Sequence, residues 1–197
     1  KGWALEYLGA DYATEASQAY SAALSQDPPY PDRLWILTGL ADALRVHGET
    51  DTAKKKYEQV IQEASERSEG IGRGGFSQLG WCHCQLGHYD EALRLLNAAV
   101  AAQPQDFPTQ FDLGLTLACS RRYDLAKTQY KASLEAMSQY DVELPRQHGL
   151  LHVALDDLQE ALKAQPGLGD VPQIQECRDL LKDAHTKIVT RTSEASE

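Results

Sequence analysis

Cys82-His83-Cys84, followed closely by His88, is the densest group of metal-ligating side chains in the sequence. Thiolates and imidazoles at short spacing can hold zinc in a tetrahedral site. On a helix, however, residues two apart point about 200° apart, so Cys82 and Cys84 cannot face one ion. The group reads instead as small buried thiols beside a core histidine. His148 and His152 lie four apart and share a helical face, but the sequence sets no third ligand near them. Gly70-Ile71-Gly72-Arg73-Gly74-Gly75 resembles a phosphate loop only in its glycine content. It follows a helical pattern rather than a strand and lacks Gly-Lys-Ser/Thr, so it reads as a flexible link. Arg121-Arg122 reads either as a cap on the carbonyls of the preceding helix, the simpler role, or as a partner contact. Lys54-Lys55-Lys56 and Asp156-Asp157 read as solvated helix faces. No nucleophile, base and acid share a supporting context. No catalytic, cofactor-binding or metal-binding residue is expected, and no enzyme activity.

The elements that position these residues are clearest between Gly75 and Pro104. Phe76, Leu79, Gly80 and His83 fall on one face of a first helix, and Ala92, Leu96 and Ala99 on one face of a second. Gly87-His88-Tyr89 is the turn between them, and Pro104 closes the second helix. Two antiparallel helices on a short turn pack closely only where a side chain at the crossing is small, which Gly80 and Ala92 provide. Leu79 and Leu96 fill the rest of the seam. Gly87 sits where the first helix ends, because glycine enters the left-handed cap conformation without penalty. Asp90 and Glu91 suit the positive end of the second helix.

This stretch resembles the tetratricopeptide repeat. That family's pattern is large-x-x-Leu-Gly-x-x-Tyr, then Ala-x-x-x-Phe, then Pro, with a 34-residue period. Here it reads Phe76-x-x-Leu79-Gly80-x-x-His83, then Ala92-x-x-x-Leu96, Ala99 and Pro104. Other units follow the same pattern. Residues 33–65 give Leu37-x-x-Leu40-Ala41-x-x-Leu44, a turn at Gly48-Glu49-Thr50, then Ala53-x-x-x-Tyr57 and Val60. Residues 107–138 give Gln110-x-x-Leu113-Gly114-x-x-Leu117, then Ala126-x-x-x-Tyr130 and Ser133, with Ser120-Arg121-Arg122 in place of the glycine turn. Residues 1–28 keep Ala16, Tyr20 and Ala23 before Pro28, behind a short leading helix with Trp3, Leu5 and Leu8.

Residues 139–166 are degenerate. Ala154-x-x-x-Leu158, Ala161 and Pro166 match a second-helix half, and the helix is expected to begin near Pro145. From Val171 to about Thr190 the apolar stripe Ile174, Cys177, Leu180, Leu181, Ala184 and Ile188 predicts a capping helix, with a frayed tail over 192–197. The matched alanines, Ala16, Ala53, Ala92, Ala126 and Ala154, lie 37, 39, 34 and 28 residues apart. The excess over the family period falls at the Pro- and Gly-rich links, and the deficit in the degenerate unit.

The resemblance implies an all-α, right-handed α-solenoid of antiparallel helix pairs over residues 1–170, capped by 171–191. Its units are expected at about 1–28, 33–65, 73–104, 107–138 and 139–166. It further implies a scaffold or adaptor that holds a partner peptide or helix in a concave groove lined by the first helix of each pair. The lining residues expected here are Trp35, Thr38, Asp42 and Arg45 in the second unit. The third contributes Ser77, Trp81, Cys84 and Gln85, and the fourth Phe111, Leu115, Ala118 and Cys119. Trp35, Trp81 and Phe111 then read either as an aromatic groove for an apolar partner segment or as rings covered by neighbouring helices. Some family members clamp a C-terminal carboxylate with Lys, Asn and Arg. Thr38, Asp42, Pro108 and Asp112 stand at those places, so that ligand is disfavoured.

The chain has 197 residues, 42% of them apolar, which is enough for a continuous core in one repeat array. Its net charge of −10 argues against nucleic acid or an anionic membrane as the main ligand. No apolar run approaches the roughly 18 residues of a spanning helix. The four cysteines form no disulfide framework and fit a reducing, cytoplasmic setting. The sequence opens on Lys-Gly-Trp without a signal peptide or initiator Met, which fits a fragment or processed product. A self-assembling module (a homo-oligomer) and an accessory domain of a larger enzyme or regulator are the alternatives to an adaptor.

Overall fold

The computed structural model describes residues 12–30, 32–66, 72–140 and 142–194, without the side chains of 72–74 and 193–194. Among the described residues there are nine α-helices and no strand. The chain divides into two compact units, Lys1–Ala99 and Val100–Glu197.

The first unit holds α1 (Ala13–Leu24), α2 (Asp32–Val46), α3 (Thr50–Ser65), α4 (Gly72–Gln85) and most of α5 (Tyr89–Ala102). α2 packs against α1, α3 and α4. Its Leu34, Leu37, Leu40, Ala41 and Leu44 are buried, the helical-period set expected of a core face. Ala53, Tyr57 and Val60 of α3 face the same core. Ala16 and Tyr20 of α1 are buried as the repeat pattern requires, while Trp3, Leu5 and Leu8 lie outside the described residues.

Two turns in this unit end on the same device. Gly48 and Gly87 adopt left-handed φ values of 91° and 79°. At Gly87 the next residue's N–H, of His88, donates to His83 O at 2.8 Å, and the Gly87 N–H donates to Cys84 O at 3.0 Å. This pair of hydrogen bonds closes the last carbonyls of a helix. Close approach is set elsewhere. A Cβ on Gly80 would sit 2.6 Å from Leu96 Cγ, so α4 and α5 meet where the repeat pattern places its small residue. Between α1 and α2 the small residue is Gly39, whose Cβ would lie 2.4 Å from Tyr20 Cζ. α4 begins at Gly72, so the helix extends over Gly74 and Gly75 where the sequence predicts a flexible link; Gly75 is buried.

The second unit holds α6 (Phe107–Cys119), α7 (Tyr123–Gln139), α8 (Leu144–Ala164) and α9 (Pro172–Glu194). α6 pairs with α7 as the repeat predicts, with Gly114 against the Tyr130 ring. The turn between them closes on Arg121, at φ 63°, with the same two bonds: Arg122 N–H to Leu117 O at 2.9 Å and Arg121 N–H to Ala118 O at 3.1 Å.

α8 carries a proline in its first turn, as expected, and buries Ala154 and Leu158. It packs on α6 and α9, and α9 packs on α7 and α8. That is the place of a first helix rather than the second-helix half its alanine spacing suggests. α9 is then the second helix of this last pair as well as the terminal cap. A left-handed Gly167, at φ 93°, and the 3-10 turn Leu168–Asp170 join α8 to α9. Ile174, Cys177, Leu181 and Ile188 are the buried stripe of α9. The helix runs to Glu194, past the end near Thr190 that the sequence predicts; 195–197 lie outside the described residues.

Candidate partner-binding face

Trp35, Thr38, Asp42 and Arg45 are spaced three or four apart, so α2 sets them on one stripe. The stripe does not point uniformly outward. Trp35 is 44% exposed, and its ring meets Tyr20 edge-on at 6.0 Å. Thr38 is buried, its Oγ1 donating to Leu34 O at 2.9 Å and lying 3.8 Å from Cys82 Sγ. Asp42 is half-buried where α2, α3 and α4 meet. Its Oδ1 accepts the Tyr57 hydroxyl of α3 at 2.5 Å and the Trp81 indole N–H of α4 at 2.7 Å. Arg45 holds its guanidinium carbon 5.9 Å from the centre of the Trp81 ring, within range of a cation–π contact.

Burial pushes the Asp42 carboxyl above the usual aspartate range, opposed by Arg45 and the two donors. Burial, reinforced by the Asp42 charge, raises the Tyr57 hydroxyl well above its ordinary value. The arrangement is a polar knot inside an apolar seam, with every partner supplied by the chain itself.

The other expected lining residues are mostly covered. Trp81 is only 7% exposed and Phe111 4%; Phe111 stacks on Tyr130 at 6.3 Å. Cys84, Leu115, Ala118 and Cys119 are buried too. Ser77 and Gln85 are half-buried, the Ser77 hydroxyl donating to Gln78 Oε1 at 3.2 Å. Of the three large aromatics, the structure leaves Trp35 at the surface and puts Trp81 and Phe111 under neighbouring helices. Asp42, Arg45 and Trp81 come together within the first unit, while Trp35 meets Tyr20 of α1 instead. Phe111 and Leu115 belong to the second.

The Cys-His-Cys group separates as helical geometry requires. Cys82 and Cys84 are buried, and burial raises the Cys82 thiol far above its ordinary value. His83 turns to the cap, where its Nδ1 lies 3.4 Å from His88 Nδ1. All four cysteines are free. Among the described residues no three His, Cys, Asp or Glu side chains are arranged to hold a metal ion. None of the helices described there is long and apolar enough to cross a membrane.

Two partners carry no signal in the sequence. Tyr57 is the second-helix aromatic of its repeat, but nothing in the spacing announces that its hydroxyl serves Asp42. His185 of α9 is the imidazole that joins His148 and His152, from 33 residues further along the chain.

Residues 47–113 match the family model described as tetratricopeptide repeat, so the chain carries tetratricopeptide repeats over that stretch. Solved structures that resemble it include a variant of the kinesin light chain TPR-like repeats of Podosopora anserina. That match has 21% identity, covers 92% of this chain and 89% of that one, and has a TM-score of 0.48. MamA of MSR-1 is 19% identical over 97% of this chain and 98% of its own, with a TM-score of 0.45. YrrB, described as a TPR protein with an unusual peptide-binding site, is 20% identical over 90% of this chain and 88% of its own, with a TM-score of 0.41. No curated protein sequence matches the chain.

Proposed function

We propose that this chain is a protein-binding module of scaffold or adaptor type, without catalysis of its own. The α2 face that carries Trp35 and Arg45 is its contact surface, and an extended or helical segment of a partner lays an apolar side chain on the Trp35 ring. The observation that carries this reading is the exposure of Trp35, 44%, where Trp81 and Phe111, the other two large aromatics expected on the groove, are buried. Tryptophan and arginine are enriched among the residues that anchor protein interfaces. Rigidity comes from beneath, since Asp42 ties α2 to α3 and α4 within one turn of Arg45.

The same knot supports the expectation that a terminal carboxylate is not the ligand. The Asp42 carboxylate stands where a carboxylate clamp would need a neutral or cationic donor. Four free cysteines, all buried, suit a reducing compartment such as the cytoplasm. The net charge of −10 disfavours nucleic acid and anionic membrane.

A paired capture from native extract tests the reading, with wild type and Trp35→Ala as baits and circular dichroism to show that both fold. Partners lost from the variant support it; an unchanged set would move the contact surface off α2. Sedimentation of wild type over a hundredfold concentration range separates an adaptor from a self-assembling module, whose mass would rise.

A further inference from the structure

Three of the six histidines meet at the contact of α8 and α9. His148 and His152 stack along α8 with ring centres 6.3 Å apart. His185 of α9 comes within 4.6 Å of His148 and 6.2 Å of His152. The Nε2 of His185 is buried and has no hydrogen-bond partner. We propose that this cluster forms a proton-sensitive latch, which holds α9 on α8 while the enclosed His185 ring is neutral and releases it as that ring takes up a proton.

Charged groups reach the latch from several elements. On α8, Asp156 places its Oδ2 3.5 Å from His152 Nε2, with Asp157 next in the chain and Arg146 two residues before His148; α6, which packs on α8, carries Asp112. α7 also packs on α9, but its charges are engaged elsewhere. Lys127 pairs with Glu176, Asp124 bonds Gln173, and Lys131 pairs with Glu135. The 3-10 turn contributes Asp170 at the opposite end of α9. On α9 itself Lys182 lies one turn before His185, with Asp183 and Lys187 two residues to either side and Arg178 beside Asp179. A proton on His185 would place its charge 4.6 Å from the His148 ring and 6.2 Å from the His152 ring, in a site where its Nε2 has no acceptor.

Desolvation, followed by the neighbouring His148 and His152, holds His185 below the ordinary histidine value, and Asp156 opposes the shift. An undocked α9 returns that imidazole to water, where it binds a proton near pH 6.5. The docked state is therefore fully favoured above that pH and loses ground as the pH falls below it. One proton taken up only by the open state makes opening about tenfold more frequent per pH unit. Opening exposes the apolar stripe of Ile174, Cys177, Leu181 and Ile188, so acid would convert the closed end of the array into an adhesive one.

Hydrogen exchange of the full chain in chelator-treated buffer between pH 7.5 and 5.5, corrected for intrinsic rates, tests this. Amides of residues 174–188 are expected to lose about tenfold in protection per pH unit below about 6.5, while those of α2 and α3 hold theirs. Replacing His148, His152 and His185 together by Gln removes the loss, and replacing His83 and His88 by Gln leaves it in place. A wild-type α9 with constant protection, or α2 and α3 losing it by the same factor, overturns the latch. If the triple variant does not fold, the His185 imidazole resonance of wild type decides. Titration below about 6.5 upholds the proposal, and titration at or above that value sinks it.

Discussion

Trp81 donates its indole N–H to Asp42 at 2.7 Å, and this bond makes an aromatic that the sequence predicts on the groove side part of the seam between α2 and α4. Tyr57 adds its hydroxyl to the same carboxylate oxygen at 2.5 Å. Asp42→Ala leaves both donors without their acceptor and is expected to cost about 2 kcal/mol, a value within the range for stranding buried polar groups. Urea unfolding measures it, and a wild-type midpoint would contradict the role given to this carboxylate.

The pH dependence of the same group has a definite sign. The folded chain holds the Asp42 proton at higher pH than the unfolded chain, because the charged form is desolvated. Its contribution to stability is therefore largest below the ordinary aspartate value of about 4 and falls as the pH rises through the raised folded value. Asp42→Asn cannot titrate, so the wild-type-minus-variant difference in unfolding free energy should decline with rising pH in that acidic window. A difference that grows with pH would mean that Arg45 and the two donors outweigh burial.

Helix crossings should respond to a methyl group in the order of their gaps. Gly80→Ala puts a Cβ 2.6 Å from Leu96 Cγ, and Gly114→Ala puts one 3.2 Å from the Tyr130 ring. The first should cost about 1–3 kcal/mol and the second less than about 1 kcal/mol. Ala92→Leu, at a fully buried position facing the same crossing as Gly80, belongs with the first. Chemical denaturation of the three variants checks the order.

Arg121 occupies a left-handed conformation, φ 63°, that Gly48 and Gly87 occupy in the equivalent turns. The strain of a side chain there exceeds the entropy that glycine loses on folding, so Arg121→Gly should stabilise by about 0.5–1 kcal/mol. A rise in melting temperature of a few degrees is the expected readout.

The thiols should be inert until the chain unfolds. Burial pushes Cys119 and Cys177 up to about 11 and Cys82 higher still. At pH 8 only about one in a thousand of the first two is thiolate, the form that reacts. Iodoacetamide at pH 8 should leave all four cysteines unmodified by mass on a timescale that labels them fully in urea.

How much of this is legible in the sequence depends on the kind of interaction. Helix positions follow from apolar periodicity, and Gly80 against Leu96 from the repeat pattern, because both are local. The turn at Arg121 is readable as a turn but not as a left-handed cap, since arginine carries no such signal. Ala154-x-x-x-Leu158 reads as a second-helix half and is not one, because a short motif does not record which neighbour its helix packs on. The burial of Trp81 rests on Asp42, 39 residues earlier, and the third imidazole of the histidine cluster lies 33 residues beyond His152. Such pairings depend on how far each helix is rotated about its axis, and a one-residue error in that rotation turns a side chain by about 100°.

The central claim is that the exposed Trp35 ring anchors a protein partner. Calorimetric titration of the captured partner into wild type, Trp35→Ala and Trp35→Phe tests it most directly. The account predicts that affinity falls at least about tenfold with alanine, the loss typical of an interface anchor, and is partly restored by phenylalanine. Equal affinities for all three proteins would contradict it.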